Sequence, residues 1–124
     1  MRINLDYDRG VPVYRQIYEA VVVGLSTEEL PPDEQLPTIH TLASQLRVNP
    51  NTVARAYRDL ERDGYIRGQR GRGTFPVPRP KVQDDARDTV LRAVFDQAVT
   101  EAARHGITAR QVADYFRKAV DDEK

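Results

Sequence analysis

The chain has no cysteine and only two histidines in 124 residues. A disulfide framework and a thiolate metal site are therefore excluded, and any metal would have to rest largely on carboxylates. Long apolar runs are missing as well. Nothing approaches the roughly eighteen consecutive residues of a membrane span, and the opening MRINLDYDRG lacks the apolar core of a secretory signal, so a cytoplasmic protein is the expectation. No serine or other nucleophile stands in a recognisable constellation with either histidine. GQRGRGT lacks the Gly-Lys-Ser/Thr ending and the strand-to-helix order of a nucleotide-binding loop. Neither an enzyme nor a cofactor is expected. The length fits one ordinary domain, or a small domain with an appendage, and leaves little room for a large catalytic fold.

Net charge is also absent, but its distribution is uneven. Residues 1–39 carry three basic and seven acidic side chains, residues 40–80 carry eight and three, and residues 81–124 carry eight and nine. The middle third therefore holds a surplus of five positive charges. A polyanion responds to that local field more than to the net value.

Within the basic third lies VNPNTVARAYRDLERDGYIRGQRGRGTF, residues 48–75. Asn49 is a good N-cap and Pro50 suits the first helical position, where its missing N–H costs nothing. Val53, Ala56, Tyr57 and Leu60 recur at helical spacing and mark a buried stripe, while Asn51, Thr52, Arg55, Arg58 and Arg62 fall on other faces. Gly64 supplies a left-handed stop. Tyr65-Ile66-Arg67 and Thr74-Phe75-Pro76-Val77 then flank GQRGRG as a short hairpin carrying Arg67, Arg70 and Arg72.

Upstream, Ile3, Leu5 and Tyr7 alternate with polar residues and suggest an extended segment. Pro12 precedes a helix on which Val13, Ile17, Val21 and Leu25 recur every four residues, ending near Ser26. Leu30-Pro31-Pro32-Asp33 reads as a turn, and Thr38 caps a short helix whose Leu42, Ala43 and Leu46 form an apolar face. With Arg47-Val48-Asn49 as the connection, the two helices make a helix-turn-helix.

Downstream, Pro76, Pro78 and Pro80 alternate and favour a stiff, extended connector. From Ala86 to about Arg104 the residues Val90, Leu91, Val94, Phe95, Ala98, Val99, Ala102 and Ala103 form an apolar arc wider than a surface helix needs. Gly106 ends that helix. Thr108 and Gln111 form a capping box, Ile107 and Val112 are spaced as a hydrophobic staple, and Val112, Phe116, Ala119 and Val120 continue one stripe. Two such helices cannot bury that arc against each other, but a second copy can. Val90, Leu91, Val94, Phe95, Ala98, Val112, Phe116 and Val120 are the expected homodimer contacts. The expected organisation is a winged helix-turn-helix over residues 1–77, a proline-rich linker over 78–85 and a helical dimerisation segment over 86–124. The fold class is mostly α with a small β-hairpin wing.

Taken together, VPVYRQI, ELPPDEQLPTIHTLA, LRVNPNTVARAYRDLERDGYI and GRGTF, in that order over most of residues 11–77, resemble a short GntR-family transcriptional regulator of the YtrA subfamily. The resemblance implies a major-groove helix after NPNT, a wing at GRGTF and a tail of two helices used to dimerise. By position it implies DNA contact by Thr38, His40, Asn51, Thr52, Arg55, Tyr57, Arg58, Arg70, Arg72, Gly73 and Thr74. Three positions depart from the family pattern. Glycine is usual at Asp33 and near Glu28, and arginine is usual at His40.

Arg55 is the leading candidate for base readout, since a guanidinium can grip both guanine acceptors. Arg70 or Arg72 would meet the backbone or the neighbouring minor groove. The plainer alternatives are an Arg55–Asp59 pair along the helix, a core role for Tyr57, and packing roles for Phe75, Tyr14 and Tyr18. The functional expectation is a repressor that binds an inverted-repeat operator as a homodimer. A winged-helix protein-interaction module is the alternative. A small-molecule effector, of the kind such regulators often sense, has little volume available outside a dimer interface.

Overall fold

A computed structural model of the protein describes residues 3–78 and 83–123. In chain order it contains α1 (Val13–Ser26), α2 (Ile39–Leu46), α3 (Pro50–Arg62), β1 (Ile66–Gln69), β2 (Gly73–Pro76), α4 (Asp84–Ala103) and α5 (Ala109–Glu123). The architecture is mostly helical with a two-stranded antiparallel hairpin, followed by two C-terminal helices. The chain packs as two compact units, Met1–Arg79 and Pro80–Lys124.

The core of the first unit follows from the stripes in the sequence. Ile17 and Val21 of α1 meet Leu42 and Ala43 of α2 and Val53, Ala56, Tyr57 and Leu60 of α3, with Leu30, Leu36 and Ile66 closing the cluster. Gly64 stops α3 at φ +85°, and the Tyr65 N–H returns to the Leu60 carbonyl at 2.9 Å. Ile3 and Leu5 pack half-buried against this core. The expected alternation does not extend to Tyr7, which is 70% exposed, and the segment forms no strand. What holds it is the buried Gln16, whose Oε1 accepts from the Asp6 N–H at 2.9 Å and whose Nε2 donates to the carbonyls of Asp6 (2.8 Å) and Val11 (2.9 Å).

Among the described residues, two that are not glycine adopt left-handed backbone, Glu28 (φ +64°) and Arg47 (φ +57°). Glu28 follows the last turn of α1, near where the family favours glycine. Asp33 does not share that conformation, so its replacement of glycine carries no left-handed strain. Arg47 forms the C-cap of α2, and the next N–H, that of Val48, reaches back to the Ala43 carbonyl at 3.0 Å. This is a Schellman-type reversal, and it turns the chain from α2 into α3.

The hairpin pairs Ile66 with Pro76, Arg67 with Phe75, Gly68 with Thr74 and Gln69 with Gly73. A contact from outside the hairpin extends it, because the Leu36 N–H donates to the Thr74 carbonyl at 2.8 Å. The α1–α2 loop thereby clasps β2. Phe75, expected as a packing residue, faces the same side as Arg67 and is only half-buried, outside the core cluster.

In the second unit α4 starts at Asp84, two residues before the expected Ala86. Asp84 and Asp85 occupy its first turn, where carboxylates complement the helix dipole. Residues 79–82 of the expected connector lie outside the described residues. The capping box of α5 is formed in both directions. Gln111 N–H donates to Thr108 Oγ1 at 3.2 Å, and Thr108 N–H donates to Gln111 Oε1 at 2.8 Å. No residue of α4 is buried.

Candidate nucleic-acid interface

The first helical turn of α3 is fixed by Asn49, whose Oδ1 accepts from the Asn51 N–H at 2.8 Å, with Pro50 in the first turn. Because Val53, Ala56, Tyr57 and Leu60 face the core, helical geometry turns Asn51, Arg55, Arg58 and Arg62 to the opposite side. All four are exposed, while Thr52 is half-buried beside them. This face of α3 is a ready surface for a polyanion.

Its arginines have different partners. Arg62 bonds to Asp59 and Asp63, each at 3.1 Å. The Asp63 pairing raises the Arg62 pKa, and the Arg62 hydrogen bond, followed by one from the Tyr18 hydroxyl, holds Asp63 below the usual carboxylate range. With Asp59 engaged by Arg62, the alternative Arg55–Asp59 pair does not form. Arg55 instead lays its guanidinium over the Tyr14 ring of α1, with Cζ 3.8 Å from the centroid. Arg58 has no carboxylate partner among the described residues. The third carboxylate of this region, Glu61, accepts from the Gly68 N–H at 2.8 Å and braces the hairpin. The acids of the basic third are thus committed to internal contacts, whereas Arg47, Arg55, Arg58, Arg67, Arg70 and Arg72 have no carboxylate partner among the described residues.

At the start of α2, Thr38 Oγ1 accepts from the Thr41 N–H at 3.1 Å, fulfilling the N-cap role. His40 lies exposed in the first turn of that helix. Tyr57 corrects the contact implied by resemblance. Its ring is buried and its hydroxyl donates to the Pro37 carbonyl at 2.7 Å. Burial pushes its pKa up to about 12, so the phenol stays a neutral donor tying α3 to the loop before α2.

Arg70 and Arg72 flank the hairpin tip and are exposed, and the Arg72 N–H closes the turn on the Gln69 carbonyl at 2.9 Å. Gly73 and Thr74 are half-buried. Gly73 has φ +106°, and a Cβ there would collide with the side-chain amide of Gln35. The backbone conformation strains any L side chain, and the movable end of Gln35 would also have to shift. Gly73→Ala is expected to push Gln35 away and displace the wing tip, weakening DNA binding and flattening its salt dependence by about one contact. A fluorescence-anisotropy titration over a range of salt concentrations checks this, and an unchanged slope would count against wing contact.

Gln16, Tyr14, Gln35 and Leu36 make non-local contacts that periodicity does not reveal. No group of three His, Cys, Asp or Glu side chains among the described residues could hold a metal, and no described helix is long and apolar enough to cross a membrane.

In the second unit Val90, Leu91, Val94, Phe95, Phe116 and Val120 are 43–56% exposed, while Ala98 and Val112 are half-buried. Ala98, Ala102, Ile107, Val112, Tyr115 and Phe116 line an open apolar concavity of about 530 Å³, with Glu101 and Gln111 at its margin.

Residues 13–75 match the model of the family described as bacterial regulatory proteins, gntR family. The chain is 28% identical over 123 residues to the HTH-type transcriptional repressor YtrA of Bacillus subtilis, covering 98% of this chain and 95% of that protein. It superposes with a TM-score of 0.58 on YtrA from Sulfolobus acidocaldarius, a GntR-family transcription factor, at 33% identity over 74% of this chain and 96% of that one. A structure of AraR(DBD) in complex with operator ORR3 superposes with a TM-score of 0.53 at 27% identity, covering 62% of this chain and 93% of the other.

Proposed function

The chain belongs to the GntR family of bacterial regulatory proteins and is a DNA-binding transcriptional regulator of YtrA type, and from that premise we propose that it represses transcription by occupying an inverted-repeat operator as a homodimer. The observation that carries this reading is the face of α3, on which Asn51, Arg55 and Arg58 stand exposed without carboxylate partners while the neighbouring acids are engaged elsewhere. The amides at the start of α3 carry partial positive charge and suit a phosphate, with Asn51 and Thr52 adding neutral donors. Arg55 then reads a base edge from the major groove. Thr38 and His40 approach the backbone from the start of α2. Arg70, Arg72, Gly73 and Thr74 engage the flanking backbone or minor groove through the wing.

A homodimer built on Val90, Leu91, Val94, Phe95, Ala98, Val112, Phe116 and Val120 would present two such faces to half-sites roughly 34 Å apart, or a multiple of that spacing. Occupancy of such a site excludes polymerase, and a DNA partner assigns the protein to the cytoplasm. An effector, if one acts, would lie in the concavity between α4 and α5, where a second copy completes its walls.

Arg55→Ala is expected to cost about 1–3 kcal/mol of discrimination at one base pair per half-site. Replacing both Arg70 and Arg72 should instead weaken binding to all sequences alike and reduce the salt slope by about two. Competition binding against single-base operator variants separates the two outcomes. Equal loss across every sequence for Arg55→Ala would remove it from the readout set.

A further inference from the structure

We propose that Tyr14 is a positioning residue for sequence recognition, holding the Arg55 guanidinium in its reading orientation before DNA arrives. The inference rests on the reading of Arg55 as the base-contacting arginine. Three arginines stand on the outer face of α3, and each is held differently. Arg62 is bound at 3.1 Å to both Asp59 and Asp63, which neutralises its charge and occupies its donors. Arg58 has no carboxylate or aromatic partner among the described residues. Arg55 alone of the three lies on an aromatic face, with Cζ 3.8 Å above the Tyr14 ring.

A carboxylate anchor and an aromatic anchor differ in what they leave free. A carboxylate takes the N–H donors that base recognition needs. The π face attracts the cation through its quadrupole and restrains the guanidinium while leaving its N–H edge and its charge available. Arginine otherwise loses considerable rotamer freedom when a base fixes it, so prior restraint lowers the cost of specific binding. Tyr14 is suited to the task because it sits in the first turn of α1, a helix anchored by the buried Ile17 and Val21 and by the Gln16 bonds to Asp6 and Val11. Its ring is half-buried. Nothing in VPVYRQI as a local helix start requires an aromatic at this position.

The test compares Tyr14→Phe, Tyr14→Leu and Arg55→Ala for binding to a duplex selected from a random library and to an unrelated duplex of equal length. Phenylalanine keeps the ring and should preserve the ratio of specific to non-specific affinity. Leucine keeps apolar volume without the quadrupole and should lower that ratio about five-fold, with the salt slope unchanged and with no further effect in the Arg55→Ala background. A Tyr14→Phe loss as large as that of leucine would overturn the proposal in favour of a hydroxyl contact. So would an unchanged ratio in Tyr14→Leu beside a collapsed one in Arg55→Ala. If Arg55→Ala itself leaves the ratio intact, the assignment of Arg55 fails and the role of Tyr14 fails with it. Should the leucine variant not fold, the wild-type protein still decides. Stacking predicts ring-current-shifted Arg55 side-chain protons in the free protein, and ordinary shifts would overturn it.

Discussion

Replacing Phe95 and Phe116 together with aspartate is expected to yield a folded monomer whose affinity for a full operator is lower by about 10²- to 10⁴-fold, while binding to an isolated half-site is little changed. The magnitude is that of lost avidity, since each half-site then engages independently. Phe95 is 44% exposed and Phe116 53% exposed in the protomer, so charges there disturb little of the internal packing. A partner helix would cover them. Charges facing one another across a two-fold axis repeat in both copies and cannot be accommodated by rotating one side chain. The reason to expect an interface is the accumulation of apolar surface. Val90, Leu91, Val94, Phe95, Ile107, Tyr115, Phe116 and Val120 are all exposed large side chains, and soluble monomers seldom leave so broad a patch uncovered. Sedimentation velocity reads the oligomeric state and titration of full and half-sites reads the affinity. A variant that still sediments as the wild type would place the dimer contacts elsewhere.

Leu60→Ala should destabilise the DNA-binding unit by about 2–5 kcal/mol, the range for emptying a leucine-sized space in a core that collapses only partly. Leu60 is 0% exposed. Its carbonyl accepts the Tyr65 N–H that starts the turn into the hairpin, so the cavity opens where α3 hands over to the wing. A unit of this size has a total stability of only about 5–15 kcal/mol, so the substitution removes a large share of it and raises the unfolded fraction. Chemical denaturation followed by circular dichroism measures the change. A loss below about 1 kcal/mol would mean that neighbouring side chains refill the site. Addition of operator should raise the midpoint of both proteins, since ligand binds the native state alone.

Much of this architecture is legible in the sequence because it depends on local chemistry. Asn49-Pro50 fixes the start of α3, Gly64 its end, and Thr108 with Gln111 the start of α5. The spacing of Val53, Ala56, Tyr57 and Leu60 identifies the buried side of α3, and by subtraction its exposed side. Contacts between distant segments are not legible in the same way. The Leu36–Thr74 hydrogen bond, the Gln16 clamp on Asp6 and Val11, and the approach of Gln35 to Gly73 each join residues whose spacing carries no periodic signal.

The arginines illustrate the limit most clearly. Spacing allows Asp59 to pair with either Arg55 or Arg62, and only the three-dimensional arrangement assigns it to Arg62, leaving Arg55 to Tyr14. Tyr57 is similar, because its place on the apolar stripe indicates burial but the Pro37 carbonyl that accepts its hydroxyl hydrogen bond is twenty residues away in sequence. Left-handed backbone is a further case. The family pattern draws attention to Asp33 and to the neighbourhood of Glu28, whereas the conformation falls on Glu28 and on Arg47, where nothing in the pattern points.

Selection of bound duplexes from a random-sequence library by the full chain tests most directly whether this protein reads DNA as a symmetric pair of α3 helices. Enrichment of an inverted repeat with half-site centres about one helical turn apart, or a multiple of it, is the expected result. Recovery of a single unrepeated motif, or of a library with no enrichment at moderate salt, would contradict it.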